Sequence, residues 1–193
     1  MNFINQFQSR FSFLLPNDFD TFLSITHHAK FKKGEKIVDF GDKKKKIIII
    51  LRGMVRGFII NYQGRELTTF LFQENATFSA YEPLILEKPT HHAFECLEAT
   101  EVLLFEYKDL ETLTDTNPRI KKVMDSIIMD SLSIALQRNE SFIKESPEKR
   151  YLQFMKNHSD LLRRVSQKHI ASYLGITAVS FSRLKKRVYM QQE

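Results

Sequence analysis

Seven basic side chains, Arg163, Arg164, Lys168, Arg183, Lys185, Lys186 and Arg187, lie between Leu161 and Gln192 with no acidic residue among them. Residues 1–160 carry 22 Lys/Arg and 22 Asp/Glu, so the net charge of +6 is confined to the last 33 residues. The chemistry open to such a set is neutralisation of phosphates and, for a planar guanidinium, bidentate hydrogen bonding to a guanine edge. Basic charge held in one small module is the electrostatic footprint of nucleic-acid binding.

The elements that must position these residues are legible in Ser166 to Arg187, SQKHIASYLGITAVSFSRLKKR. Gln167 to Leu174 reads as a short helix with Ile170 and Leu174 on one face and Ala171 small enough for a second helix to approach. Gly175 supplies a left-handed residue that ends it in a tight turn. Thr177 is a good N-cap for a second helix, Ala178 to about Tyr189, with Phe181 and Leu184 facing inward. Thr177, Ala178, Val179, Ser182, Arg183 and Lys186 then face outward, a set of small, hydroxyl and basic groups suited to a major groove. A basic helical hairpin that merely caps a core is the simpler alternative.

Arg183 is placed to read guanine, and Ala178 and Val179 to pack on thymine methyls, with Lys186 a further base-contact candidate. Ser166, Gln167, Lys168, Thr177 and Ser180 are phosphate-contact candidates, which fix register without reading sequence.

Upstream, 42% hydrophobic residues in 193 allow a real core and more than one domain. No apolar run approaches about 18 residues, so no membrane span is expected. MNFINQFQSRFSFLLP lacks the n- and h-regions of a signal peptide. The single cysteine, Cys96, excludes an internal disulfide framework and makes a reducing cytoplasm the expected compartment. Phe3, Ile4, Phe7 and Phe11 recur at helical spacing, and Asn17 or Asp18 after Pro16 caps a second helix carrying Phe19, Phe22 and Leu23.

From Ala29 to about Tyr107 the pattern changes to short β-prone runs: 36–40, 46–51, 55–61, 66–72, 92–97 and 101–107. Gly34, Gly41, Gly53 and Gly64 punctuate the first four, which implies a β-roll or jelly-roll sandwich. Asn117-Pro118 starts a long helix running to about Ile143, with an apolar stripe of Ile120, Val123, Met124, Ile127, Ile128, Leu132, Ala135 and Leu136. About 25 residues of helix span roughly 38 Å, more than a small domain needs for its own packing. The stripe therefore suggests a partner helix; packing only on its own domain is the alternative. Two heptad registers, through Ile120 and Ile127 or through Met124 and Ile128, fit equally well. Lys144 to Pro147 breaks the pattern and forms a hinge before the helix PEKRYLQFMKNH.

Other local features carry less. Lys43 to Lys46 beside Ile47 to Ile50 reads as a solvated turn guarding a buried strand rather than as an anion patch. His27-His28 and His91-His92 read as structural or exposed, since neighbours on a strand point to opposite faces and no carboxylate or cysteine cluster stands at ligand spacing. Cys96, on the same strand face as Phe94, reads as a small core residue. No nucleophile–base pair, phosphate loop or metal constellation appears, so no enzyme, cofactor or metal is expected.

SQKHIASYLGIT and VSFSRLKKR resemble the helix-turn-helix of the Crp/Fnr superfamily of bacterial transcription regulators, and KKGEKIVDFGD, LRGMVRG and GRE resemble its cyclic-nucleotide-binding sensor domain. The resemblance covers nearly the whole chain. It implies an α+β fold with an N-terminal β-roll (jelly-roll) sensor domain (1–116), a dimerisation helix (117–144) and a C-terminal helix-turn-helix, winged-helix-like DNA-binding domain (145–193). It implies a homodimer on double-stranded DNA, with RNA polymerase a further partner and no membrane association. The dimer seam is then expected at Ile120, Val123, Met124, Ile127, Ile128, Leu132 and Ala135.

The departures from the family matter equally. Nucleotide-binding members hold the sugar and cyclic phosphate with a Gly-Glu pair and a later Arg beside Ser or Thr. Here Phe78 to Ala99 contains no Gly and no Arg. Glu82 stands near the family's Glu, and Thr90 or His91 where the Arg would be; neither replaces a guanidinium. A degenerate effector pocket at Glu82, Thr90 and His91 that does not take cyclic AMP in the usual way is the expectation. One cysteine excludes an iron–sulfur sensor, and haem ligation by one of the six histidines is left without support. Ala178 and Val179 replace a second Arg and a Glu common in the family, so its usual operator is not assumed, and no wing strand follows the recognition helix. A sensor or scaffold module whose basic tail contacts acidic protein or membrane is the reading from a different class.

Overall fold

The computed structural model describes residues 11–190. The helix expected through Phe3, Ile4 and Phe7 lies outside them. In chain order the elements are α1 (Pro16–Ser24), β1 (His27–Phe31), β2 (Lys36–Val38), β3 (Lys46–Arg52), β4 (Val55–Ile60), β5 (Glu66–Phe72), β6 (Thr77–Phe78), α2 (Tyr81–Ile85), β7 (Ala93–Cys96), β8 (Thr100–Glu106), α3 (Tyr107–Thr116), α4 (Pro118–Lys144), α5 (Pro147–Asn157), α6 (Leu161–Arg164), α7 (Gln167–Tyr173) and α8 (Ala178–Met190). The fold is α+β, with the strands forming two four-stranded sheets ordered β1-β8-β3-β6 and β2-β7-β4-β5.

The isoleucine run explains the centre of the first sheet. β3 lies between β8 and β6, with Ile48 opposite Leu104, Ile49 opposite Leu103 and Ile50 opposite Val102. Ile48, Ile49 and Ile50 are all buried, so a strand without alternation here is one covered on both faces. The turn after β3 demands glycine: Gly53 has φ +100°, and a Cβ there would lie 2.6 Å from Thr100 Oγ1 and 2.7 Å from the Ala99 carbonyl oxygen. Lys43 and Lys44 are exposed and Lys45 pairs with Glu87 at 3.1 Å, the solvated turn expected of them.

The chain divides into two compact units. One holds the residues up to Gly57 together with Phe72–Ser131; the other holds Phe58–Leu71 together with the residues from Leu132 onward. The division falls inside α4 rather than at its start, and most of the β4–β5 hairpin, Phe58–Leu71, groups with the C-terminal helices.

In the first unit, Phe11, Phe19, Phe22, Ile49, Leu103, Phe105 and Leu110 form one core cluster with Ile120 and Val123 of α4. Those last two positions correct the expected dimer seam, because their side chains fill their own chain's core. Met124 and Ile127 are partly buried against the same cluster, while Ile128, Met129, Leu132 and Leu136 are exposed. Buried Asp18 holds α1 to the start of α4: it accepts from Arg119 Nε (2.6 Å) and Nη2 (3.0 Å) and from Asn117 Nδ2 (2.6 Å). These bonds hold the Asp18 carboxyl well below the usual carboxylate range, the Arg119 bond most of all. Asn117 also caps α4, its Oδ1 accepting from the Arg119 and Ile120 amides.

Several strand ends shift from the sequence reading. β2 stops at Val38, β7 spans only Ala93–Cys96 and Tyr107 opens a helix. α2, with Pro83 inside it, and α3, with only Leu110 and Thr114 buried, have too little apolar periodicity to stand out. No helix is long and apolar enough to cross a membrane among the described residues.

Candidate nucleic-acid interface

Ser166 caps α7, its hydroxyl accepting from the His169 amide at 3.3 Å. Ile170, Ala171 and Leu174 are buried, and α7 ends at Gly175, φ +73°. The Thr177 hydroxyl accepts from the Ser180 amide at 3.1 Å and lies 2.9 Å from Ser180 Oγ, which starts α8. Phe181, Leu184 and Val188 face inward at spacing three and four, with the Phe181 ring edge-on to Tyr151 of α5, centroids 5.2 Å apart. The two helices and their tight turn are thus assembled from local signals: two hydroxyl caps, one left-handed glycine and a 3.6-residue apolar period.

The opposite face of α8 is polar and basic. Ala178, Val179, Ser180, Ser182, Arg183 and Lys186 are exposed, Val179 to 63%. Among the described residues no ion pair holds Arg183 or Lys186. Arg187, one turn further on, pairs instead with Glu148 of α5, and Lys185 lies over the Phe181 ring. Ser166, Gln167 and Lys168 are exposed around the start of α7. Every base and phosphate candidate read from the sequence is therefore at the surface. Thr177 and Ser166 additionally use their hydroxyls as caps, a role that leaves the oxygens engaged with backbone. The N-terminal end of α8, where the helix dipole is positive, carries the small side chains that allow close approach to a polyanion.

Sequence reasoning missed what holds this pair of helices. Arg138 of α4 donates from Nη2 to the Tyr173 carbonyl (2.8 Å), its guanidinium 4.0 Å from the Tyr173 ring centroid and 4.9 Å from that of Phe142. Arg150 of α5 lies 4.6 Å from the Phe142 centroid and donates to the Leu174 carbonyl (3.0 and 3.2 Å) and to the Glu145 carbonyl (2.7 Å). On the hairpin, the Thr68 amide donates to Ser172 Oγ at 2.8 Å. The Arg150–Leu174 and Thr68–Ser172 partners lie 24 and 104 residues apart, and the one local signal is that Arg138 and Phe142 stand four residues apart on one helix face.

The expected effector region, in the first unit, is built in the opposite sense. Glu82 and Thr90 are buried. The Glu82 carboxylate accepts from Thr90 Oγ1 (3.0 Å) and the His91 amide (3.2 Å) and contacts His92 Nδ1 at 2.7 Å, while Thr90 Oγ1 accepts from the His92 amide at 2.9 Å. Burial raises the Glu82 pKa, but the bonds from His92 and Thr90 outweigh it and the net shift is downward. The His91 side chain is exposed and only its backbone joins this network, so the inward histidine is His92, the opposite member of the pair. Around it Phe72 stacks on Phe78 (4.6 Å, 6°), and Phe94 packs against Phe78 at 5.0 Å. Cys96 is buried, and desolvation pushes its thiol up to about 11, which makes it a poor thiolate. No group of three His, Cys, Asp or Glu able to hold a metal occurs among the described residues.

Residues 28–117 match the family model of the cyclic nucleotide-binding domain. Over 184 residues, 89% of this chain and 72% of the relative, the sequence is 24% identical to electron transport regulator A of Shewanella oneidensis. The solved structure of FixK2 from Bradyrhizobium japonicum superposes with a TM-score of 0.73 at 18% identity, covering 87% of this chain and 86% of that one. The c-di-GMP responsive global regulator CLP of Xanthomonas campestris gives 0.73 at 15% identity, covering 91% and 92%. The fold is the one these solved structures share, with an N-terminal β-sheet domain that matches the cyclic nucleotide-binding model followed by C-terminal helices.

Proposed function

We propose that this chain is a sequence-specific DNA-binding transcription regulator of the Crp/Fnr type, acting as a homodimer on an inverted repeat and not controlled by cyclic AMP. The observation that carries the reading is the outward face of α8: Ala178, Val179, Ser182, Arg183 and Lys186 exposed behind a Thr177 cap, with no acidic residue anywhere between Leu161 and Gln192. Arg183 forms a bidentate contact with guanine, Ala178 and Val179 meet thymine methyls, and Lys186 reaches a further base. Ser166, Gln167, Lys168, Thr177 and Ser180 hold phosphates.

The dimer forms along the second half of α4. Exposed Met129, Leu132, Leu136 and Ile143 follow the 3-4-7 spacing of a helix–helix seam, and Ile128 and Ala135 flank it. Two such subunits present two α8 helices to half-sites whose centres lie about 34–36 Å apart, or a multiple of that distance. Cyclic AMP lacks its receptor groups: no guanidinium stands between Phe78 and Ala99, and the Glu82 carboxylate is already bonded to Thr90 and His92.

Selection of bound duplexes from a random pool tests the reading. Enrichment of an inverted repeat is expected, and a pool that emerges unenriched would overturn it. A calorimetric titration with cyclic AMP is expected to give no binding heat at micromolar concentration; saturable heat would remove the effector part of the proposal.

A further inference from the structure

Where the helix-turn-helix is held differs from what holds each of its helices. Three aromatic or guanidinium groups from outside it converge on the turn between α7 and α8. Arg138 and Phe142 lie one helical turn apart on α4 and face the same side. The Arg138 guanidinium lies against the Tyr173 ring at 4.0 Å and that of Phe142 at 4.9 Å, and donates to the Tyr173 carbonyl. Arg150 lies 4.6 Å from the Phe142 centroid and joins the Glu145 carbonyl, just past the end of α4, to the Leu174 carbonyl at the end of α7. Gly175 completes the fit: a Cβ at that position would lie 2.5 Å from Phe142 Cε1.

Each part has a physical reason to be strong. Carbonyls at a helix C-terminus have no partner within the helix and carry its negative dipole end, so two cations there are favourable. A guanidinium is weakly hydrated, planar and able to stack while it donates in its own plane; an ammonium lacks the planarity and the fork.

We propose that Arg138 and Arg150 are positioning residues that clamp the α7–α8 turn to the second half of α4 through Phe142, and thereby set the half-site spacing the dimer accepts. They touch no base or phosphate in this assignment. They act by fixing α8 relative to the helix that carries the dimer seam. The proposal rests on the DNA-binding reading given above.

The test uses the full chain in three forms: wild type, Arg138→Ala with Arg150→Ala, and Arg138→Lys with Arg150→Lys. The lysine form keeps every charge and removes only stacking and the two-pronged capping. Binding is measured to the selected inverted repeat, to repeats with the spacer one or two base pairs longer or shorter, and to an isolated half-site. Both variants are expected to lose about tenfold at the optimal spacing while binding the isolated half-site within about twofold of wild type, so that the spacing preference flattens. An unchanged spacing preference in the lysine form would overturn the proposal. Equal weakening on half-site and full site would do the same, since the residues would then contribute only to stability or attraction.

A measurement without DNA separates the clamp from the reading beneath it. Spin labels at Asn139→Cys and Ser182→Cys, in labelled chains diluted with unlabelled protein, report the distance between α4 and α8. A narrow distribution in wild type that broadens in both variants is expected; a distribution equally narrow in all three overturns the clamp even if operator binding is confirmed. Wild type that ignores spacing but shows the narrow-to-broad change would instead overturn the operator reading. Should the alanine form melt below the working temperature, the lysine form carries the test alone.

Discussion

Two polar regions of this molecule use hydrogen-bonding groups in opposite ways. Around Glu82 the carboxylate, the Thr90 hydroxyl, the His91 amide and the His92 ring are bonded to one another and mostly buried. On α8, Ser182, Arg183 and Lys186 point to solvent. A buried group with its bonds satisfied internally loses them when a ligand competes, whereas an exposed group exchanges water for ligand at little cost. The contrast supports the proposed recognition by the exposed face of α8 and a structural role for the Glu82 network, which lies within the residues that match the cyclic nucleotide-binding domain.

The largest effect is expected from Glu82→Ala. It removes the carboxylate that accepts from the Thr90 hydroxyl and the His91 amide and contacts the His92 ring, at about 1–3 kcal/mol for each buried group that finds no other partner. Thermal or denaturant unfolding should show a large loss of stability, while the surviving folded fraction binds the selected operator with unchanged affinity. A stable variant with altered DNA response would place an effector site there after all.

Next in size is Leu132→Glu combined with Leu136→Glu on the exposed stripe of α4. Burying two carboxylates per subunit in an apolar seam should cost more than about 2 kcal/mol of association. Sedimentation is expected to show monomers at micromolar concentration with intact secondary structure. The same pair of changes at inward Ile120 and Val123 should unfold the first unit instead, which separates seam from core on a single helix.

Arg183→Ala acts on the exposed face of α8 alone. It should leave unfolding unchanged and remove roughly 1–3 kcal/mol from binding of the selected site, with relaxed preference at one position of each half-site. If selected and scrambled duplexes weaken by the same factor, Arg183 is a phosphate contact and base reading passes to Thr177, Val179 or Lys186. The smallest effect is expected from Lys168→Ala, which should weaken all duplexes about equally and make the salt slope shallower by about 0.9 for each phosphate no longer neutralised. Binding isotherms over a salt series measure both.

What was legible in advance follows the range of the interaction. The Thr177 cap, the Gly175 turn and the inward Ile170, Leu174, Phe181 and Leu184 depend on residues within about one or two helical turns, and each stands where the pattern put it. The isoleucine strand was legible for the same reason. The His91-His92 pair was not: alternation says that the two rings part, but which one turns inward depends on a carboxylate ten residues away in sequence. The α4 stripe divided likewise. Its periodicity marks an apolar face, yet a face can meet its own core or a second subunit, and here Ile120 and Val123 meet the core while Leu132 and Leu136 remain outside.

The β-sandwich, the long helix, the two short helices joined at Gly175 and the one-sided basic charge were all readable along the chain, because period, turn chemistry and composition are properties of neighbouring residues. Only the tertiary structure decided which half of α4 is core, that His92 rather than His91 joins Glu82, that Arg187 is tied to Glu148 while Arg183 stays exposed, and that Arg138 and Arg150 grip the α7–α8 turn. Each of those outcomes is a choice among partners far apart in the chain, and the packing of the whole selects the partner that leaves the fewest buried groups unsatisfied.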